Sequence, residues 1–385
     1  MVTKSAFTQA RRHLKATAFI TLNQKAVLDV VYGDENYDKA WGFRLLAIDG
    51  SKIHLPNTPE IVQEFGTIKF ETTLNNNQKI TGEHGYALAS VIYDPLNKIV
   101  VDACLAPAKT YEVDVALEQI KHTQANSLML FDRNYPSYIF LASLTKLNRQ
   151  FVGRCSKSSF KAAQKLFKHT LIDTSIVTLK ASGHLNKKCK ALDLPEKIKV
   201  RFVRCRLSTG EIEVLVSSLL DEKQYTAQMF KELYNLRWGI GCLYGVIKGR
   251  LKVDNFTGKT VISVKPSRRK FLRSKNFLLE DFCATIFLIG LESVLTQRAS
   301  MQLFGKSSQN QHRQTVNNMV SFNAIKNFVI ELFYRCSPLD KLMKTLSSWF
   351  VKDPTYVKRE RDAPRKKSLA RVSLNYYKRV FKPGF

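Results

Sequence analysis

Two aspartates stand where a run of apolar β-formers gives way to a turn. Asp49 closes Phe43-Arg-Leu-Leu-Ala-Ile, and Asp132 closes Ser127-Leu-Met-Leu-Phe. In an α/β sheet, sites collect at the carboxyl ends of strands. A carboxylate ending a buried strand is costly unless it is paired or binds a metal. Two hard oxygen ligands on neighbouring strands suit Mg²⁺, which takes one or two carboxylates and completes its shell with water and substrate phosphates. Two such ions, roughly 3.5–4 Å apart, can activate a water or a hydroxyl and stabilise the departing oxygen of an in-line displacement. Taken singly, an Asp-Gly or an Asp-Arg reads as a turn residue or a helix cap.

A second group of residues lies downstream, in Tyr234-Asn-Leu-Arg237-Trp-Gly-Ile-Gly241-Cys-Leu-Tyr-Gly-Val-Ile-Lys248. At about 100° per residue, helical positions 234, 237, 241 and 248 fall within an arc of roughly 60°. One face would then present a tyrosine, an arginine and a lysine, with a glycine between them. An arginine suits bidentate contact with phosphate and a lysine suits a point-charge contact. The plainer reading of Tyr234 and Trp238 is core packing, and of Lys248 a solvated helix face.

The elements that must position these residues can be read from the apolar pattern. Residues 1–40 read as a short helical lead-in. Phe43 to Pro56 predicts a strand, a tight Asp-Gly-Ser turn and a second strand. Tyr86 to Tyr93 and Ile99 to Leu105 predict two more, and Val113 to Ala125 an amphipathic helix. Ser127 to Phe131 has the continuous apolar character of a buried central strand, and Ser137 to Leu147 predicts the helix that closes the unit over 41–148. Residues 149–224 read as a β-rich insertion, with strand signals at 151–155, 198–207 and 211–216. A helical part follows over 225–305, with an apolar helix near Phe282 to Leu295. The region 306–385 is expected to be helical, from a signal at Phe322 to Phe333, and then basic. No internal repeat is present.

The composition narrows the partners. The 385 residues carry 61 Lys and Arg against 32 Asp and Glu, a formal charge of +29, and 44% are hydrophobic. A chain of this length and apolar content can bury a core, so wholesale disorder is excluded. The excess charge is spread out, with concentrations at 241–280 and 352–385, where ten and eleven basic residues face two and three acidic ones. A polyanion is the natural partner, because each Lys or Arg at a phosphate releases a condensed counterion. No apolar run reaches the ~18 residues of a membrane span. The seven scattered cysteines form no CxxC pair, which argues against a zinc module or a disulfide framework and suits a reducing cytosol.

Taken together, Leu46-Ala-Ile-Asp49-Gly-Ser, Leu128-Met-Leu-Phe-Asp132-Arg-Asn-Tyr and the 234–248 segment resemble the three motifs of insertion-sequence transposases of the DDE type, in the family often called IS four. Leu55-Pro-Asn-Thr-Pro-Glu60 and Leu251-Lys-Val-Asp-Asn-Phe-Thr-Gly-Lys259 agree with the flanks of the first and third motifs. The likeness covers about residues 15–300. It implies a ribonuclease H-like mixed sheet flanked by helices, with a β-rich segment inserted after the second aspartate. It also implies Mg²⁺, or Mn²⁺, on Asp49 and Asp132, and phosphate contacts from Arg237 and Lys248, with Tyr234 helping to position the DNA backbone. The expected partners are double-stranded DNA, at terminal inverted repeats and target, and a second copy on paired ends. The expected location is the bacterial cytoplasm and nucleoid.

One position departs from the family pattern, because Gly241 stands where the third catalytic acid, a glutamate, belongs. Glu232, nine positions earlier, lies on the opposite side of a helix, and Asp254, thirteen later, lies beyond its expected end. The two-ion site is therefore expected to be incomplete and strand transfer impaired. Three readings follow: a DNA transposase with reduced activity, an inactive DNA-binding relic or inhibitor of active copies, and a different ribonuclease H-like nuclease.

Overall fold

The computed structural model describes residues 3–11, 13–73, 79–168, 172–207, 209–254, 256, 261–262, 275–334 and 338–357. Much of the two basic stretches, including 263–274 and 358–385, lies outside the described residues. Among the described residues, no helix is long and apolar enough to cross a membrane.

Apolar runs that stay buried on both faces build the centre of a nine-stranded mixed sheet. Its strands are β1 (Arg44–Leu55), β2 (Thr67–Thr73), β3 (Lys79–Asp94), β4 (Ile99–Pro107), β5 (Ser127–Phe131), β6 (Gln150–Arg154), β7 (Thr174–Lys180), β8 (Lys197–Arg206) and β9 (Ile212–Ser217). The order is β2-β3-β1-β5-β6-β9-β8-β7, and β4 pairs with β3. β3 runs antiparallel to β1 and β4, whereas β5 lies parallel to β1 and β6 parallel to β5. The path β4-β3-β1-β5-β6, with only β3 reversed relative to β1, is the ribonuclease H-like arrangement implied by the motifs.

Side-chain alternation sorts the two faces. Leu45 and Ala47 of β1 join Leu128 and Leu130 of β5 in one core, which includes Tyr234, Ile240, Leu243, Tyr244 and Ile247. Leu46 and Ile48 join Met129 and Phe131 on the other face, under Val113, Phe140 and Leu166. The helices Ala227–Asn235 and Trp238–Gly245 therefore cover the first face, and Glu112–Gln119, Tyr138–Lys146 and Lys161–Lys168 cover the second. Ser137 caps the Tyr138–Lys146 helix by accepting the Phe140 N–H. Behind the first face, the 30-residue helix Phe277–Lys306 meets the lead-in, where Gly290 leaves room for Val27 and Asn23.

Several expectations are corrected. β1 runs unbroken through Asp49-Gly50-Ser51, so no tight turn forms there. Gly50 marks a close approach instead, because a Cβ at that position would lie 2.9 Å from the Glu112 carboxyl group. The 149–224 stretch supplies strands as expected, but β6 pairs with β5 in the central sheet, and β9, β8 and β7 extend that same sheet. Two helices, Lys161–Lys168 and His184–Ala191, interrupt it. The 234–248 segment is not one regular helix. Leu236, Arg237, Gly239 and Ile240 donate three residues back, a tightening that separates Ala227–Asn235 from Trp238–Gly245. Val246–Arg250 then widens into a π turn that carries Lys248. Gly239 sits at the tightened point, where a Cβ would approach Pro95 Cβ to 2.9 Å. The 322–333 signal is split at Phe328 into Asn318–Asn327 and Val329–Tyr334.

Gly153 of β6 is in register with Phe131, and any side chain there would overlap the Phe131 ring. Phe131 is fully buried, and it is the residue before Asp132. Gly153→Ala should therefore lower the unfolding free energy by about 1–3 kcal/mol through overpacking. Urea titration measures this, and a loss below about 0.5 kcal/mol, the range of ordinary surface changes, would show that the ring has room to move.

Candidate active site

Parallel pairing of β1 with β5 sets Ile48 against Phe131, so Asp49 and Asp132 are the next residues on adjacent strands, which run about 4.8 Å apart. By alternation both side chains face the helices Ala227–Asn235 and Trp238–Gly245. Asp132 lies beyond the last residue of β5 and turns the chain, its Oδ1 accepting the Asn134 N–H at 2.8 Å. The Oδ1 of Asp49 accepts the Gly50 N–H at 3.0 Å. Its Oδ2 lies 3.6 Å from Nη1 of Arg237, an ion pair too long for a good hydrogen bond.

The 234–248 segment meets this pair mostly from behind. Tyr234 is only 4% exposed, and its hydroxyl donates to the Phe131 carbonyl at 3.3 Å, one residue before Asp132. The hydroxyl of Tyr234 is thus buried and engaged with β5, where the spacing had placed it on a face shared with Arg237 and Lys248. Tyr244, which the spacing did not single out, donates to the carbonyls of Asp49 and Ala89, at 3.0 and 2.9 Å. Each aspartate therefore has a tyrosine hydroxyl on the carbonyl at or beside it. Arg237 is 7% exposed, stacks over Trp238 and leaves its Nε without a partner. Lys248 is half-buried and donates to Ser51 Oγ at 2.7 Å and the Lys52 carbonyl at 2.6 Å, so it does not sit on a solvated face. Gly241 is exposed, and a Cβ there would meet nothing nearer than the Trp238 ring at 4.0 Å.

Glu112 was not anticipated. It opens the helix Glu112–Gln119 on the opposite face of the sheet, and its Oε1 accepts the Gly50 N–H at 2.8 Å and the Tyr135 hydroxyl. Two signals pointed towards it: a glycine directly after Asp49 and a tyrosine three residues after Asp132. A lysine-bearing cleft of about 770 Å³, lined in part by Lys52, Lys69, Lys109, Tyr111 and Asn134, opens beside Glu112.

Burial is the main reason the Asp49 carboxyl is pushed up to about 6. Arg237 opposes that shift, while the charges of Asp132 and Glu112 add to it. The site thus concentrates negative charge that one arginine at 3.6 Å does not neutralise. Hard carboxylate oxygens under that excess fit Mg²⁺. Among the described residues, no group of three or more His, Cys, Asp or Glu side chains is arranged to hold a metal ion. Asp49 and Asp132 are the carboxylates that could hold an ion here, which would take the rest of its shell from water or phosphate.

The raised value has a stability consequence. In the native state Asp49 keeps its proton above its ordinary value of 3.8. Native stability from this group is therefore fully present below about 4 and is lost as pH rises through about 6. Asp49→Asn should stabilise the metal-free protein by on the order of 1–2 kcal/mol at pH 8 and by little at pH 4. Thermal melts in EDTA at the two pH values measure the difference. A variant less stable than wild type at pH 8 would mean that the Arg237 pair outweighs burial.

A family model described as the transposase DDE domain matches residues 40–265. The putative transposase InsZ of Escherichia coli (strain K12) is 26% identical over 148 residues, 38% of this chain and 47% of that protein. The chain thus spans about half the length of this curated relative. Among solved structures, the piggyBac transposase synaptic complex with hairpin DNA aligns with a TM-score of 0.42 and 12% identity, over 83% of this chain and 59% of that one. With more than half of its length matched, and the motif residues gathered at one strand edge, the chain belongs to the transposase DDE domain family.

Proposed function

We propose that this chain is a DNA transposase that performs Mg²⁺-dependent strand cleavage and transfer at transposon ends, slowed by the glycine at position 241. The observation that supports it most is the placement of Asp49 and Asp132 on adjacent parallel strands, facing one helix pair that carries Arg237. Asp49 and Asp132 would hold the metal. When bound, the ion would lower the cost of activating a water or a 3′-hydroxyl and of releasing the opposite oxygen. Arg237 would balance charge beside Asp49. Lys248 keeps the β1 segment after Asp49 in place through Ser51 and Lys52 and adds positive charge there. Double-stranded DNA as substrate and a homodimer on paired ends are what the family leads one to expect. The basic composition supports the first.

A second reading is favoured by Gly241 itself: a chain that binds DNA without cutting it, as a relic or as an inhibitor of active copies. The open space around position 241 allows the two to be separated, because a glutamate fits there without displacing backbone. Gly241→Glu should raise Mg²⁺-dependent nicking of the element's own end DNA by about 100-fold or more, since misplacing the attacking oxygen costs on that order. Asp132→Ala should abolish nicking in both backgrounds. Equal robust nicking by wild type and Gly241→Glu would show that the third acid lies elsewhere. No nicking by either, with DNA affinity that falls steeply with salt, would support the binding-only reading.

A further inference from the structure

We infer that Glu112 is a positioning residue for the two aspartates, an assignment that rests on the metal-site reading above. The reason begins with the sheet. β1 and β5 pair only as far as Ile48 and Phe131, because β5 ends there. Beyond that point the half-buried Gly50 N–H has no β5 carbonyl to bond, and it is shared between Asp49 Oδ1 at 3.0 Å and Glu112. Glu112 reaches it from the opposite face, with Oε1 2.8 Å from the Gly50 nitrogen. The same oxygen accepts the hydroxyl of Tyr135, which is fully buried and three residues past Asp132. One carboxylate oxygen thus ties the backbone after Asp49 to the loop after Asp132.

The glycine at 50 is required for this tie, since a Cβ would lie 2.9 Å from Cγ, Cδ and Oε1 of Glu112. Glu112 reaches the strand end from behind, on the face that Asp49 and Asp132 do not share. It is therefore placed to orient metal ligands, not to replace the acid missing at Gly241. Groups that orient ligands in this way typically change metal affinity about 10- to 100-fold when removed.

Mn²⁺ binding to the full chain by calorimetry tests the assignment, with melting in EDTA as the measure of structure. Glu112→Ala should weaken Mn²⁺ binding about 10- to 100-fold. Glu112→Gln keeps an oxygen that accepts both hydrogen bonds but loses the charge, and should bind Mn²⁺ within about threefold of wild type. A melting shift in Glu112→Ala without a change in affinity would make the residue merely structural and overturn the assignment. Weakening in Glu112→Gln equal to that in Glu112→Ala would also overturn it, by making the charge the active feature. If Glu112→Ala does not fold, Glu112→Gln decides alone: wild-type affinity supports the assignment, and affinity like that of Asp132→Ala overturns it. The control is Asp132→Ala. If it binds Mn²⁺ as wild type does, or wild type binds none, the metal-site reading fails and Glu112 loses its role with it. If Asp132→Ala loses binding while Glu112→Ala keeps it, only the assignment to Glu112 fails.

Discussion

Two carboxylates of like charge are held side by side on adjacent strands, Asp49 midway along β1 and Asp132 just past the end of β5, and most of the surrounding structure answers to that constraint. The parallel register of β1 and β5 puts Asp49 beside Asp132 on one face of the sheet. Repulsion and burial both oppose this placement, and the raised proton affinity of Asp49 records the cost. An isolated pair of strands could not hold it. The sheet can, because both strands are buried on both faces up to Ile48 and Phe131 and their backbones are fixed by side chains from above and below.

Those fixing contacts share a pattern. Tyr234 bonds the carbonyl before Asp132, Tyr244 the carbonyl of Asp49, and Lys248 the strand just beyond it. Glu112 bonds the amide after Asp49 from the other side. Each acts on backbone or on a neighbour, and none of them bonds an aspartate oxygen. Those oxygens are met by the Gly50 and Asn134 N–H groups and, at 3.6 Å, by Arg237, which balances charge without saturating the Asp49 carboxylate. Close approach is repeatedly secured by glycine: Gly50 under Glu112, Gly153 under Phe131 and Gly239 against Pro95.

Gly241 belongs to a different class. No neighbour crowds it, so packing does not explain the absence of a side chain. The backbone supports around the two aspartates are nonetheless in place. An uncrowded glycine on the covering helix thus coexists with an intact, sheet-built pair of aspartates.

Much of this could be read directly from residue order. The runs ending at Asp49 and Asp132 form strands because each is apolar over its last four residues, Leu45 to Ile48 and Leu128 to Phe131. The 234–248 spacing identified the segment that covers them. What residue order left open depended on contacts between distant parts of the chain. Asp-Gly-Ser has the composition of a turn, yet β3 and Glu112 hold it in an extended strand. Tyr-x2-Arg has the spacing of an exposed face, yet a 3₁₀ tightening and the sheet beneath bury both side chains. Glu112 has no motif at all, because its partner Gly50 is 62 residues away. The sequence by itself determined the two acids that follow apolar runs, the family and the glycine at position 241 of the covering segment, since these are local patterns of polarity and spacing. Only the tertiary structure decided which side chains face the aspartates, which brace them and which remain open, because hydrogen-bond partners and burial are set by packing across the sheet.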